Sequence, residues 1–525
     1  MERGRVAVFL DGLDEMPEAA RAPALQALSE QATFRLVLLS RTAELADSAR
    51  RHTLTSAVAV ELRPLAAAEA ARYLLRPFTD RPPRAWRDLA DTLTDQPDSP
   101  LAQALTSPLR VTLVRDVYGS SAAPGPVDEL MDTDRFRDVD AISRHLLEHT
   151  VPAAYTSRPG RPPAPYTVDT ARRTLTHIAR CLRAQDDNRD LTWWTVASWL
   201  PAWRRIALSV LGGMLLSGLV FGTAGLLLSG FQTWPGVWFR STYWFALILG
   251  APASLAVALA FNLTQRRRGV VTAAASGVGV SLVLGLVLGG WALSVSTFGL
   301  TFAVAYGVTA RNRGAAAMKS LNVGRGLTSA RRVRSAVLLG LAFGLADGAF
   351  GTVAYLVRGV HDLSTALGFG LNGLLACLLI VTPVLWSTGA FVDDPASAST
   401  HPADPVQSWR GDFRLWSVVG VASGVISGIN AGLAYQAPVY GFGGEGIGTL
   451  ADVLVGGVCH GLVIGVILGR AWMTTVTQVW FAVRYRTPPR LMRFLEDSRE
   501  RHLLRAVGST YQFRHATFQD HLADS

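Results

Sequence analysis

From Val6 to Leu10 five apolar residues run unbroken, the pattern of a strand covered on both faces in a parallel sheet. Residues 18–32 follow with helical spacing, 34–39 ("FRLVLL") form a second such strand, 57–62 a third, and 66–75 a helix. Strands alternating with helices predict an α/β sheet of βαβ units. Two or three strands are too few for a doubly wound domain, so the pattern reads as part of a sheet with strands missing upstream. Residues 80–200 read as helical, interrupted by the proline-rich linkers "DRPPRAW" and "SRPGRPPAPY".

From Ile206 the rhythm changes. About eight stretches approach the ~20 apolar residues that a bilayer requires, near 206–230, 242–263, 270–290, 292–310, 336–357, 366–391, 415–434 and 449–469. The third and fourth are nearly fused, which lowers the count by one or two if they are not separate. Basic residues alternate between the intervening loops: "QRRR" (265–268), Arg311 to Arg334, Arg410 with Arg414, and Arg484 to Arg493 fall on one side. The loops between hold little beyond Arg240 and Arg358. This bias predicts a multi-pass cell-membrane protein with both termini cytoplasmic.

Composition agrees, with 49% apolar residues, 17% charged residues and 49 glycines in 525 positions. The net charge of +10 lies largely in those loops, and no basic helix or aromatic platform accompanies it, which argues against nucleic acid as a partner. Cys181, Cys377 and Cys459 are isolated and fit neither a disulfide framework nor a zinc pattern. The first strand lies almost at Met1 with no signal-peptide pattern before it, so the N-terminus is expected to stay in the cytoplasm.

Glycine recurs every fourth residue at Gly218 and Gly222, Gly285 and Gly289, Gly340 to Gly348, and Gly420 to Gly432. Such stripes let backbones approach closely, either within one bundle or between protomers. Asp347, Asn372, Asn430, Asp452 and His460 interrupt the apolar spans; interhelical hydrogen bonds or a pore or proton path both account for polar groups there.

The chemistry concentrates at the ends of the first two strands. Asp11 closes one, where open parallel sheets place their ligands, and a carboxylate there can hold Mg²⁺ beside nucleotide phosphates. Asp14 and Glu15 follow, placed to polarise a water; Ser40 and Arg41 end the next strand, where an arginine reaches a γ-phosphate. At the far end, 503–507 and 511–515 can pair across Gly508-Ser509-Thr510, followed by a helix over 517–523. His515 and His521 are six apart, which does not suit a helix-borne zinc site.

"VFLDGLDEMPE" resembles the extended Walker B motif of NACHT-type (STAND) signal-transduction NTPases, and "LVLLSRT" their sensor strand. "VELRPLAAAEAARYL" and "SPLRVTLVRDVYG" resemble the helical segments that follow. "LLRAVGSTYQFRHATFQDHLA" resembles the end of their winged-helix domain. The resemblance covers roughly residues 1–200 and 490–525. It implies Asp11 as the Mg²⁺ ligand, Asp14 and Glu15 as supports for hydrolysis, and Arg41 as a γ-phosphate sensor. It also implies His515 as a contact to ADP, a position that serves equally as a polar helix start. Mg²⁺ and ATP or ADP are the implied cofactors, with homo-oligomerisation on activation and a defence or stress-signalling role.

One departure stands out. The P-loop, Gly-x-x-x-x-Gly-Lys-Ser/Thr, is missing. The single lysine, Lys319, sits in "GAAAMKS" between apolar spans without the second glycine. The chain is therefore expected to start too late, to be truncated, or to have lost nucleotide turnover. The predicted organisation is a partial α/β P-loop NTPase sheet (1–78), a helical region (79–204), an all-α membrane bundle of about eight spans (205–472) and a winged-helix-like tail (473–525). The rival class is a transporter or channel with a cytoplasmic regulatory domain.

Overall fold

The computed structural model describes residues 7–16, 18–31, 34–51, 57–78, 81–119, 125–156, 163–185, 188–228, 404–436, 450–467 and 469–525, with isolated helical positions between 255 and 382. The chain divides into two compact units, residues 1–118 with 125–146, and 119–124 with 147–525.

The first unit opens with β1 (Ala7–Asp11), paired in parallel with β2 (Arg35–Leu39) so that Asp11 stands opposite Leu39. The connection is α1 (Glu18–Gln31), and α2 (Thr42–Arg51) follows β2. A helical bundle completes the unit: α3 (Ala67–Leu75), α4 (Arg84–Asp95), α5 (Pro100–Ala104), α6 (Pro108–Tyr118) and the first turns of α7 (Val139–Tyr155). Leu74, Leu89, Leu93, Val114, Leu130 and Ile142 form its interior. Ser99 starts α5 by accepting the Ala102 N–H at 3.2 Å, with Pro100 in the first turn, where its missing N–H costs nothing.

The second unit is built from both ends of its sequence. The end of α7, α8 (Val168–Arg183) and the segment 188–200 share one apolar core with α13 (Leu491–Glu500), the antiparallel hairpin β3 (Leu504–Val507) and β4 (Thr510–Phe513), and α14 (Ala516–Asp524). Trp193, Tyr511, Phe494 and Leu175 are its fully buried centre. Leu191 and Tyr511 exchange backbone hydrogen bonds of 2.7 and 2.9 Å, which adds residue 191 to the hairpin edge. Arg189 pairs with Asp520 at 2.6 Å, and Gln519 donates to the Asn188 carbonyl at 3.0 Å. The hairpin turn is Gly508-Ser509, one residue tighter than the spacing predicts, and Gly508 has φ 58° as a two-residue turn with glycine first requires.

Between these two parts run α9 (Ala202–Leu228), α10 (Pro405–Gln436), α11 (Leu450–Ile467) and α12 (Arg470–Tyr485). α10 and α11 meet through glycine. A Cβ on Gly420 would lie 2.5 Å from the Gly461 carbonyl oxygen, and one on Gly424 the same distance from that of Gly457. This glycine stripe therefore packs inside the molecule. Buried Asp412 accepts the Ala471 N–H at 3.0 Å, capping α12, and Trp416 donates to its other oxygen at 3.1 Å.

The predicted bundle of about eight spans is not what the structure carries. Among the described residues the chain is mostly helical with two small two-stranded sheets, and one helix, Ala202–Ala224, is long and apolar enough to cross a membrane. The pair Leu454–Ile467 and Ala471–Tyr485, bent by 72°, raises that to two if it counts as one span. Apolar length does not report straightness: the run near 449–469 ends in this bend, and Arg470 begins a helix in a new direction. Apart from isolated positions, the stretches 242–263, 270–290, 292–310, 336–357 and 366–391, with Lys319, Asp347, Asn372 and Cys377, lie outside the described residues, as do the side chains of Asn430 and Asp452.

The sheet also departs from expectation. Phe9, Val37 and Leu39 share one face and are exposed, Phe9 by 69%, so β1 and β2 are not covered on both sides. Residues 57–62 pair with no strand among the described residues; Val58, Val60 and Leu62 lie open to solvent. An apolar run shows what a strand is able to bury, not what the chain supplies to bury it.

Candidate functional site

The site begins where β1 ends. Asp11 is the last residue of the strand and is exposed. Gly12 follows with φ 90°, a left-handed conformation that turns the chain sharply into a 3-10 turn, Leu13–Glu15. Leu13 points inward and is buried, anchoring the turn. Arg21, one turn into α1, reaches back: Nη2 donates to the Asp14 carbonyl at 2.8 Å and Nε to the Met16 carbonyl at 2.9 Å. A guanidinium thus holds the acidic turn in shape from behind.

From the end of β2, Arg41 Nε lies 3.2 Å from Asp14 Oδ2. The aspartate side chain is mostly covered, at 14% exposure, whereas the arginine is 74% exposed. Asp14 is therefore engaged by a cation, and Arg41 keeps most of its surface toward solvent. Ser40 donates to the Arg41 carbonyl at 3.3 Å. Asp14 and Arg41 meet, and Asp11 ends β1 opposite Leu39, so all three belong to the carboxyl ends of two adjacent parallel strands. The Glu15 side chain lies outside the described residues.

His515 belongs to the second unit. It stands just before α14 in extended conformation, and its carbonyl accepts the N–H groups of Phe518 and Gln519 at 3.2 and 3.3 Å. Phe513 is buried and meets Phe518 edge-on with ring centres 5.8 Å apart.

Among the described residues no three His, Cys, Asp or Glu side chains gather as a metal site. Asp11 as a lone exposed carboxylate fits Mg²⁺, which commonly takes one or two carboxylates together with substrate phosphates. The described residues form no backbone cradle for those phosphates, so the nucleotide itself is only half accommodated. Burial pushes the Cys181 thiol up to about 12, which disfavours the thiolate, and its Sγ lies 3.6 Å from His177 Nε2.

A half-buried polar cluster escaped the sequence. The Tyr118 hydroxyl donates to Glu129 Oε1 at 2.7 Å and lies 2.9 Å from His145 Nε2, which makes the histidine a donor to it. Arg135 donates to the other Glu129 oxygen at 2.6 Å. Burial alone would raise the Glu129 carboxyl, but the hydrogen bonds from Tyr118 and Arg135 outweigh it and hold it below the usual range. The four residues are scattered over 118–145 with no motif spacing, and they lock α6 to α7.

Compared with protein-family models, characterised proteins and solved structures, the chain matches none.

Proposed function

We propose that this chain is a membrane-attached signalling protein of the NACHT type, switched by a magnesium nucleotide. The observation that carries the proposal is the convergence of Asp11, Asp14 and Arg41 at the carboxyl ends of β1 and β2, where open parallel sheets take their ligands. Asp11 would hold Mg²⁺ through water, and Arg41, open to solvent, would meet the terminal phosphate. Asp14, paired with Arg41, would with Glu15 orient the attacking water. The phosphate cradle would come from outside the described residues. His515 would report the diphosphate state, and oligomerisation would follow exchange.

Membrane attachment rests on α9. One side packs on α11 and α12, while the other exposes Leu211, Leu215, Leu219 and Leu227, a stripe that water does not favour and lipid does. The segments on either side of the apolar helices share one core, which supports an even number of crossings with both segments on the same side of the bilayer. The arginine-rich loops support the cytoplasm as that side.

The test is magnesium-dependent binding of a fluorescent ATP analogue to the full chain in nanodiscs. Binding should weaken at least tenfold in Asp11→Asn and in Arg41→Ala. Affinity unchanged in both variants would sink the proposal.

A further inference from the structure

α12 does not continue the line of α11. It turns by 72°, so if α11 runs across a bilayer, α12 lies close to its plane. Its inner face, with Met473, Thr477 and Phe481, is buried, and the opposite side presents Val479 and Val483 to the surroundings. At its end Arg486 takes a left-handed conformation (φ 54°) that closes the helix and turns the chain into α13.

The chemistry at this corner is of one sign. Between Arg484 and Leu495 there are four arginines and no acid. Arg484, Arg486, Arg490 and Arg493 are all exposed, and none is in an ion pair among the described residues. The nearest acids on α13 are spoken for: Glu496 is bound by Arg499 and Tyr511, and Asp497 by Arg501. Aromatic rings stand among the cations. Arg204 at the start of α9 lies 5.1 Å over exposed Trp203 and 6.0 Å from Trp480, and Arg484 lies 5.4 Å over Tyr485. Amphipathic rings beside unpaired arginines, at the mouth of an apolar helix, match the headgroup layer of a bilayer.

We propose that α12 is an interfacial helix, and that Arg484, Arg486, Arg490 and Arg493 bind anionic lipid headgroups. This rests on the membrane reading given above. Because Phe481 and Met492 belong to the core of the second unit, headgroup binding fixes that unit against the bilayer surface. A helix lying in the interface takes its hold from apolar burial plus charge, and the charged share responds to lipid composition.

The experiment measures amide hydrogen exchange of the full chain in nanodiscs of phosphatidylcholine alone and of phosphatidylcholine mixed with phosphatidylserine. Residues 471–493 should exchange at least about fivefold more slowly in the mixed bilayer, the gain expected from a single arginine at an anionic surface. The gain should disappear when all four arginines become Gln and return when they become Lys, with exchange in the β3–β4 hairpin unchanged throughout. Equal protection in both bilayers overturns the proposal, as does persistence of the gain in the Gln variant. Protection by single-stranded RNA in the neutral bilayer, with none by phosphatidylserine, also overturns it in favour of nucleic acid. If the chain leaves the bilayer on carbonate extraction, the membrane reading itself fails, which is a separate result.

Discussion

The hydroxyls of Tyr155 and Ser498 lie 2.9 Å apart across 343 residues of chain. Both are buried, and burial holds the tyrosine well above its ordinary pKa, so it stays neutral and available for hydrogen bonding. Tyr155 also stacks on Phe494 and lies under Arg501, contacts that phenylalanine would keep. Tyr155→Phe should therefore cost about 1 to 3 kcal/mol through the unsatisfied serine, and adding Ser498→Ala should recover part of the loss. Denaturant unfolding of the second unit gives both numbers; strictly additive losses would mean that the pair is not coupled.

The α10–α11 contact makes a sharper test because it carries its own control. Gly461→Ala drives a methyl to within 2.5 Å of the Gly420 carbonyl, whereas Gly456 has nothing within 4 Å. The first should lower stability by about 1 to 3 kcal/mol, the range for overpacking. Gly456→Ala should be neutral or slightly stabilising. Thermal unfolding in detergent distinguishes them, and equal effects would show that these helices do not pack through glycine.

Acid should weaken the first unit through Glu129. Its carboxyl is held below the usual 4.5, so its stabilising contribution is complete above that value and is lost as pH falls through the lower, folded one. Glu129→Gln should flatten the stability curve below pH 4.5 while lowering stability at neutral pH, where Arg135 loses its anion. Urea midpoints measured downward from neutrality check this.

Arg21 offers a test of the acidic turn that leaves every carboxylate in place. Removing its two hydrogen bonds in Arg21→Ala should speed amide exchange over residues 13–16, at a cost of about 1 to 3 kcal/mol in local opening. If the turn shapes a nucleotide site, analogue binding weakens in parallel. Unchanged exchange would show that the guanidinium does not hold the turn.

The strand-end acids and Arg41 were legible because βαβ connectivity places consecutive strand ends side by side, and Asp14 and Arg41 do meet. Arg21 was not, since a side chain that reaches back to carbonyls has no motif. The third strand failed for a related reason: "AVAVEL" has strand chemistry, but pairing needs a neighbour, and sequence pattern says nothing about which edge is free. The last of the eight predicted spans was misjudged because hydropathy measures composition, whereas spanning depends on helix direction, which changes by 72° between Ile467 and Ala471. Union of 147–200 with 491–525 was hidden because long-range cores leave no local periodicity; only the tail's own hairpin did.

That union has a consequence during synthesis. When Leu200 leaves the ribosome, half of a core is present, with Tyr155, Leu175 and Trp193 lacking Phe494, Leu504 and Tyr511. Residues 201–490 must be made before the complement arrives, on the order of 15 to 60 s at ordinary elongation rates. Throughout that interval the nascent half-domain is an exposed client for chaperones, and a ribosome that stalls late leaves a sticky intermediate tethered to it. Only the last thirty or so residues close it.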